Sequence, residues 1–247
     1  YTKQYIGTEL ASEDKDESGR VLSGLFLKNM ILGLTEETQE QKLQRWQTCD
    51  PSTREAARQA FMTALMSPVG NVSHTAASVL AAYGKFDMTV VDGLLPVLKH
   101  IMESDAVAEK TKISALETMG YLCDAMDPDA EDFTKDKVDT ILTGIIGGMH
   151  ESQNIAMRRA ATSALENTLV FAEKNFEDPT GHERNMIMQS IRSAMICQDD
   201  FQVRESAYKC LIVVAENYYN FLGPYIEELF SLSMGAITKG GDDGEPI

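Results

Sequence analysis

The chain has 247 residues, enough for one large domain, two ordinary domains or an array of repeated units. Its composition, 43% apolar and 24% charged, is typical of a folded protein and argues against a disordered one. The net charge of −16 repels nucleic acid and anionic membranes and attracts basic proteins, so neither nucleic acid nor a membrane is an expected partner.

The four cysteines are far apart in the sequence, with no C-x-x-C pair and no histidine at the spacing of a metal ligand. This pattern favours reduced, buried thiols in the cytosol or nucleus over disulfides. No metal site and no cofactor are predicted. The cysteines are Cys49, Cys123, Cys197 and Cys210.

The first predicted element is a helix over residues 15–34, interpreted as the second helix of a hairpin whose first helix is missing. Residues 52–84 follow as a helix pair, 52–67 and 71–84. This pair begins with "DPSTRE", in which a Ser or Thr N-cap precedes an acidic residue in the first turn.

An internal repeat organises the rest of the chain. The segments "EKTKISALETMGYLC", "IAMRRAATSALENTL" and "FQVRESAYKCLIVVA" align with a constant spacing of 46 residues, shown by Ala115, Ala161 and Ala207. Another helix precedes each segment and forms the first helix of the hairpin. Asp-Pro pairs and aspartates mark the loops. The predicted hairpins are 88–126, 134–174 and 181–219, followed by 222–238 as a lone first helix.

No β-type alternation occurs, and apolar residues recur every three or four positions. A repeat of 46 residues lies in the range of HEAT and armadillo repeats. The predicted fold class is therefore all-α, a HEAT-repeat α-solenoid in which antiparallel helix pairs form a right-handed superhelix. The lone helices at both ends indicate that the chain is one fragment, 1–247, of a longer array.

The stretch "ILTGIIGGM", residues 141–149, places three glycines in a predicted helix, where each costs roughly 1 kcal/mol relative to alanine. On a helical wheel Ile141, Ile145 and Met149 face the hairpin partner, whereas Leu142 and Ile146 lie at one edge beside Thr143. The glycines lie away from that edge, so we expect them to allow close helix approach. The edge residues are available to a neighbouring repeat or to a ligand.

Seven stretches are spread over nearly all of residues 18–235: "GLFLKN", "QRWQTCD", "ALETMGYLCDAMDP", "ILTGIIGGM", "SALENTLVFAEKNFE", "HERNMIMQ" and "ENYYNFLGPY". They resemble the importin-β (karyopherin-β) family of nuclear import receptors, in the order in which that family has them. The resemblance implies a receptor that binds phenylalanine-glycine (FG) nucleoporins and Ran with GTP. Through the complete protein it also implies binding of importin-α or basic cargo signals, and a location in cytoplasm, nucleus and nuclear pore complex.

The resemblance also implies site residues. Nucleoporin phenylalanines in this family enter shallow apolar pockets between neighbouring first helices, and Ran contacts the second helices of the first repeats. Lys28 and Asn29 match positions near the Ran surface. The residues that match the FG pockets are Leu142, Thr143, Ile146, Glu183, Met186, Ile187 and Tyr225.

A structural scaffold and an enzyme are the two alternative functions. A HEAT array also suits a structural scaffold of a multiprotein complex, such as a phosphatase, in which the apolar edge at residues 142–146 is simply packed between repeats. Catalysis needs a nucleophile, an acid–base pair or a metal in convergent geometry, and the four histidines lie near helix ends or in loops without partner spacing. No catalytic residues are predicted, and the chain is not expected to be an enzyme.

Overall fold

The computed structural model describes residues 2–243, with side chains described for residues 7–238. This part of the chain contains thirteen α-helices and no β-strand, so the predicted all-α fold class is confirmed. Short 3-10 turns occur at residues 169–171, 219–221 and 223–225. The helices are α1 Thr2–Ala11, α2 Glu17–Ile31, α3 Glu36–Gln47, α4 Pro51–Leu65, α5 Gly70–Gly84, α6 Met88–Glu103, α7 Glu109–Ala125, α8 Lys135–Met149, α9 Ile155–Thr168, α10 Glu173–Phe176, α11 His182–Met195, α12 Phe201–Tyr218 and α13 Ile226–Asp243.

The chain divides into two compact units, Tyr1–Gly144 and Ile145–Ile247. In the first unit α5 packs against α2, α4 and α7. In the second unit α12 packs against α9 and α11. In both units second helices of successive hairpins therefore lie side by side, which is the packing expected of stacked helical repeats.

Two helices in the first unit are absent from the prediction. Helix α1 packs against α2 and α4, so α2 has a first-helix partner and is not the lone helix predicted from the sequence. A side chain at Gly7 would lie 3.4 Å from Ala60, which shows how closely α1 approaches α4. The buried Arg20 joins these elements, because it donates to the Leu10 carbonyl at 3.0 Å and to the Ser67 hydroxyl at 3.0 Å.

Helix α3 is the second helix that the sequence did not predict. It is polar except for Leu43 and Trp46, so it carries no apolar stripe. A capping box at Thr35 starts the helix. Trp46 then anchors it: the indole is almost fully buried, and its ring contacts the Tyr83 ring edge-on at 4.7 Å.

Small side chains allow the second helices to approach one another. Ala115, Ala161 and Ala207, the residues that keep the 46-residue spacing, are all fully buried. Between α5 and α7 the Ser73 and Ser114 hydroxyls are 2.9 Å apart, and this bond satisfies two buried polar groups.

The second unit is closed by aromatic packing and polar caps. The Phe176 and Tyr218 rings stack at 4.1 Å, and the Tyr218 hydroxyl donates to the Leu169 carbonyl at 2.6 Å. The Asp200 carboxylate caps α12 by accepting from the Val203 N–H at 2.9 Å, and Arg159 donates to it at 2.9 Å. The hydrogen bond from Arg159 lowers the pKa of Asp200.

All four cysteines are free thiols. Cys123, Cys197 and Cys210 are buried, whereas Cys49 is only partly buried and so departs from the predicted core thiols. Burial raises the pKa of Cys210 well above its usual range, which keeps this thiol protonated and unreactive. Within the described residues, no helix is both long enough and apolar enough to cross a lipid bilayer.

Candidate functional site

The predicted edge of α8 is only partly exposed. Ile141, Ile145 and Met149 are buried as the helical wheel indicated. Leu142 is also nearly buried, with 4% of its surface exposed, so it offers little area to a ligand. Thr143 is exposed and Ile146 is partly exposed.

The glycines of α8 differ from one another. A side chain at Gly144 would lie 2.9 Å from the Met119 methyl group, so this glycine does allow close helix approach. Nothing lies within 4 Å of the corresponding point at Gly147. The expectation of close approach is therefore confirmed at Gly144 and wrong at Gly147.

The predicted residues on α11 lie on different faces. Met186 is 42% exposed, whereas Ile187 is 1% exposed and belongs to the core. Glu183 is partly buried and accepts a hydrogen bond from the Asn175 amide at 3.0 Å. Of these three residues only Met186 presents apolar surface to solvent.

A cavity of about 210 Å³ lies between α11 and the start of α13, wholly within the second compact unit. Tyr225 is the only predicted site residue that lines it. We call it the α11–α13 cavity. Its lining residues are Asn185, Met188, Gln189, Arg192, Tyr225, Glu228 and Leu229.

The α11–α13 cavity has apolar and polar walls. Met188 and Leu229 are its apolar lining residues, and at 3% and 8% exposed each offers only a small area to a ligand. Two polar contacts join α11 to the other side of the cavity: Arg192 Nε lies 2.7 Å from Glu228 Oε1, and the Tyr225 hydroxyl is hydrogen-bonded to Asn185. The charges of Arg192 and Glu228 neutralise each other, so the cavity suits an uncharged, mostly apolar group.

The volume indicates the size of that group. An apolar protein cavity of roughly 150 Å³ holds a benzene molecule. A space of about 210 Å³ therefore accommodates a single aromatic ring.

The prediction missed most of the cavity lining, although the sequence carries a signal for it. Asn185, Met188, Gln189 and Arg192 follow the i, i+3, i+4, i+7 spacing of one helical face. Tyr225, Glu228 and Leu229 follow the i, i+3, i+4 spacing of a second face. The positions that the family resemblance selects on α11 are different ones, although they neighbour this face in the sequence.

The residues matched to the Ran surface lie on α2. Lys28 is partly buried and donates to the Ser78 hydroxyl of α5 at 2.6 Å, so it connects two second helices. Asn29 is exposed. The polar surface of second helices continues at His74, whose ring nitrogen lies 3.2 Å from the Glu117 carboxylate of α7.

No group of three or more histidine, cysteine or acidic side chains within the described residues is arranged to hold a metal ion. His150 interacts with its own turn, through the Ser152 hydroxyl at 2.9 Å. This places it in a loop, as its sequence position indicated.

No protein-family model matches the chain. The stacked helix pairs define the class of protein, which is an α-solenoid of the HEAT and armadillo type. Among solved structures of this class, yeast importin-β (Kap95p) matches with a TM-score of 0.84 and 29% identity, covering 95% of this chain and 27% of Kap95p. The Kap95:Nup1 complex matches with a TM-score of 0.82 and 29% identity, again covering 95% of this chain and 27% of the matched chain.

The curated relatives point to one particular protein. Importin subunit beta-1 of Arabidopsis thaliana is 30% identical over 235 residues, or 95% of this chain and 26% of the relative. Importin subunit beta-1 of Saccharomyces cerevisiae is 29% identical over 238 residues, or 94% of this chain and 27% of the relative. The chain is thus similar to importin subunit beta-1 over nearly its whole length, and it spans about a quarter of the length of these relatives.

Proposed function

We propose that the chain is part of a nuclear transport receptor and that it binds FG repeats of nucleoporins. The α11–α13 cavity is the observation that carries this proposal. Its volume suits one ring, its apolar lining residues are nearly buried, and the charges of Arg192 and Glu228 neutralise each other. Similarity to Kap95, which has been solved in complex with Nup1, supports the choice of partner.

The chemistry of an FG repeat suits such a space. The phenylalanine supplies one uncharged ring, and the flanking glycines let the peptide backbone approach the surface closely. Burial of a single ring in a shallow cavity offsets little of the cost of association, so each contact is weak. Useful affinity then comes from several cavities and several repeats acting together.

Ile146 and Met186 belong to the same proposal. They are the apolar members of the predicted set on α8 and α11 that retain exposed surface. Leu142 and Ile187, being nearly buried, act in this proposal by supporting their helices. Thr143 contributes polar surface on α8, and Glu183 contributes polar surface on α11.

The proposal extends to Ran and to cargo for the complete protein. A Kap95p structure that matches this chain with a TM-score of 0.85 and 27% identity concerns binding to RanGDP. On this chain Lys28 and Asn29, with the polar surface at His74 and Glu117, are the proposed Ran-contacting residues. The acidic net charge favours importin-α or basic cargo signals as further partners, and the proposed location is cytoplasm, nucleus and nuclear pore complex.

A methyl NMR titration tests the FG proposal. The chain is labelled at methionine and leucine methyl groups and titrated with a peptide that contains Gly-Phe-Gly, and separately with its Gly-Ser-Gly counterpart. We expect the Met188 and Leu229 signals to shift in a saturable way with the phenylalanine peptide only. Met195, a buried methionine of α11 outside the cavity lining, is the internal control. Absence of any shift at Met188 and Leu229 contradicts the proposal.

A further inference from the structure

We propose that Arg192 makes the α11–α13 cavity selective for aromatic side chains over aliphatic side chains of the same size. This inference rests on the proposed FG-binding function and adds a specificity-determining residue to it. It starts from the lining of the cavity, in which Arg192 is the only cation.

The apolar walls cannot supply this selectivity to any large extent. Met188 and Leu229 contact an aromatic or an aliphatic group through similar apolar area, and burial of apolar surface is non-directional. Discrimination therefore requires a group that interacts with the π electrons of a ring. A guanidinium does so, because the ring quadrupole attracts a cation over its face.

Glu228 holds the guanidinium beside the cavity. Glu228 Oε1 lies 2.7 Å from Arg192 Nε, and both side chains, which are about half exposed, line the cavity. The contact restricts a side chain that would otherwise sample many rotamers, so less conformational entropy remains to be lost when a ring enters. Arg192 is one of the seven residues that line this space of about 210 Å³, so its side chain borders the volume that a bound ring would occupy.

The second polar contact orders another residue of the lining, Tyr225. The Tyr225 hydroxyl is engaged by Asn185, which fixes the tyrosine ring as one wall of the cavity. Met188 and Tyr225 also favour an aromatic ring to some extent. The removal of Arg192 should therefore lower the selectivity without abolishing it.

The test compares a peptide that carries an aromatic ring with one that carries a saturated ring of similar size. One contains Gly-Phe-Gly, and in the other the phenylalanine is replaced by cyclohexylalanine, which has nearly the same size and shape. Kd values for both come from the Met188 and Leu229 methyl shifts of the wild-type chain, Arg192→Gln and Glu228→Gln. Arg45→Gln, which changes an exposed arginine of α3, is the matched control.

For the wild-type chain we expect the phenylalanine peptide to bind several-fold more tightly. Arg192→Gln should reduce the ratio of the two Kd values by roughly two- to fivefold, the range for a cation–π contact at an exposed site. Glu228→Gln should reduce the ratio by a smaller factor, and Arg45→Gln should leave it unchanged.

An unchanged ratio in Arg192→Gln, or equal binding of the two peptides by the wild-type chain, overturns the role of Arg192 while the FG proposal stands. If the phenylalanine peptide does not shift Met188 and Leu229 of the wild-type chain at all, the FG proposal and this inference both fail. Circular dichroism of each variant establishes that it is folded.

Discussion

The indole N–H of Trp46 donates a hydrogen bond to the carboxylate of Asp87 at 2.9 Å, so α3 is tied to the residue that caps α6. Asp87 also caps the Thr89 N–H at 3.2 Å and lies 3.6 Å from the Arg58 guanidinium. In a helix with almost no apolar stripe, Trp46 and its charged partner Asp87 thus supply a buried anchor to the first compact unit.

Replacement of this indole should destabilise the first compact unit. In Trp46→Phe the carboxylate loses a donor, and hydrogen bonds to charged groups contribute about 1.5–3 kcal/mol. The smaller ring also leaves a void, so we expect the free energy of unfolding to fall by at least about 1.5 kcal/mol.

The chain has one tryptophan, so urea unfolding of this variant is followed by circular dichroism rather than by fluorescence. The neighbouring Gln47→Ala, at an exposed position, is the control and should change the free energy of unfolding by less than about 0.5 kcal/mol. A Trp46→Phe chain as stable as the control would show that the hydrogen bond to Asp87 contributes little.

The pH dependence of stability offers a second prediction, on Asp87 itself. Burial alone would raise the pKa of this carboxyl, but hydrogen bonds from Thr89 and Trp46 and the charge of Arg58 outweigh burial and lower the pKa. A carboxyl with a lowered pKa in the folded state stabilises the protein above its unfolded pKa of about 3.9, and this contribution disappears as pH falls through the folded pKa.

We therefore expect Asp87→Asn to be less stable than the wild-type chain at pH 7 and to approach wild-type stability as the pH falls below about 4. The fluorescence of Trp46 reports urea unfolding of both proteins at a series of pH values. Asp105→Asn, in an exposed loop, controls for the loss of one negative charge. The difference should stay nearly constant from pH 7 to about pH 5, and a difference that is still undiminished at about pH 2 would be inconsistent with a lowered pKa.

The glycines of α8 give a matched pair of substitutions. Gly147→Ala adds a methyl group in open space and should stabilise the helix by about 0.5–1 kcal/mol, because alanine has the higher helix propensity. Gly144→Ala gains the same propensity, but its methyl group would lie 2.9 Å from the Met119 methyl and 3.2 Å from the Met119 sulfur. Since Met119 is fully buried, we expect no net gain from Gly144→Ala.

Thermal unfolding followed by circular dichroism compares the two alanine variants with the wild-type chain. The order expected for the midpoint is Gly147→Ala above wild type, with Gly144→Ala at or below wild type. If both variants were equally stabilised, Met119 would have moved aside without cost.

The α8 part of the proposed nucleoporin surface is tested by Ile146→Asp. A charge at this partly exposed position should weaken retention on immobilised FG repeats by about tenfold, which corresponds to about 1.4 kcal/mol of lost apolar contact. Ile212→Asp introduces the same charge at a position on α12 that is 55% exposed, and it should be retained as well as the wild-type chain.

Helical content of both aspartate variants, measured by circular dichroism, must equal that of the wild-type chain for this comparison. Equal retention of Ile146→Asp and Ile212→Asp would remove α8 from the proposed surface. The α11–α13 cavity would then be the remaining part of the proposed nucleoporin site.

Much of the fold follows from local sequence patterns. Helices α4 to α9, α11 and α12 were predictable because their apolar residues recur every three or four positions and turn residues separate them. Helices α1 and α3 were missed because their stability comes from contacts with other helices: Gly7 packs against Ala60, and Trp46 binds Asp87. The recurrence of apolar residues along one helix does not reveal contacts between helices.

For the candidate site, the sequence likewise predicted positions along the chain but not the burial of their side chains. Resemblance to a family selected positions on α8, α11 and the 3-10 turn at Tyr225, but it could not tell a buried side chain from an exposed one. Ile187 is in the core while its neighbour Met186 is exposed, because residues one apart on a helix point about 100° away from each other.

The sequence by itself determined the all-α class, the 46-residue period and the resemblance to importin-β, because each depends only on local spacing or on residue identity. Only the tertiary structure decided that α2 has a partner in α1 and that a cavity lies between α11 and α13. It also decided that Arg192 is paired with Glu228 beside that cavity. These features depend on the distance between helices, which is set by the sizes of the side chains packed between them rather than by the order of residues along one helix.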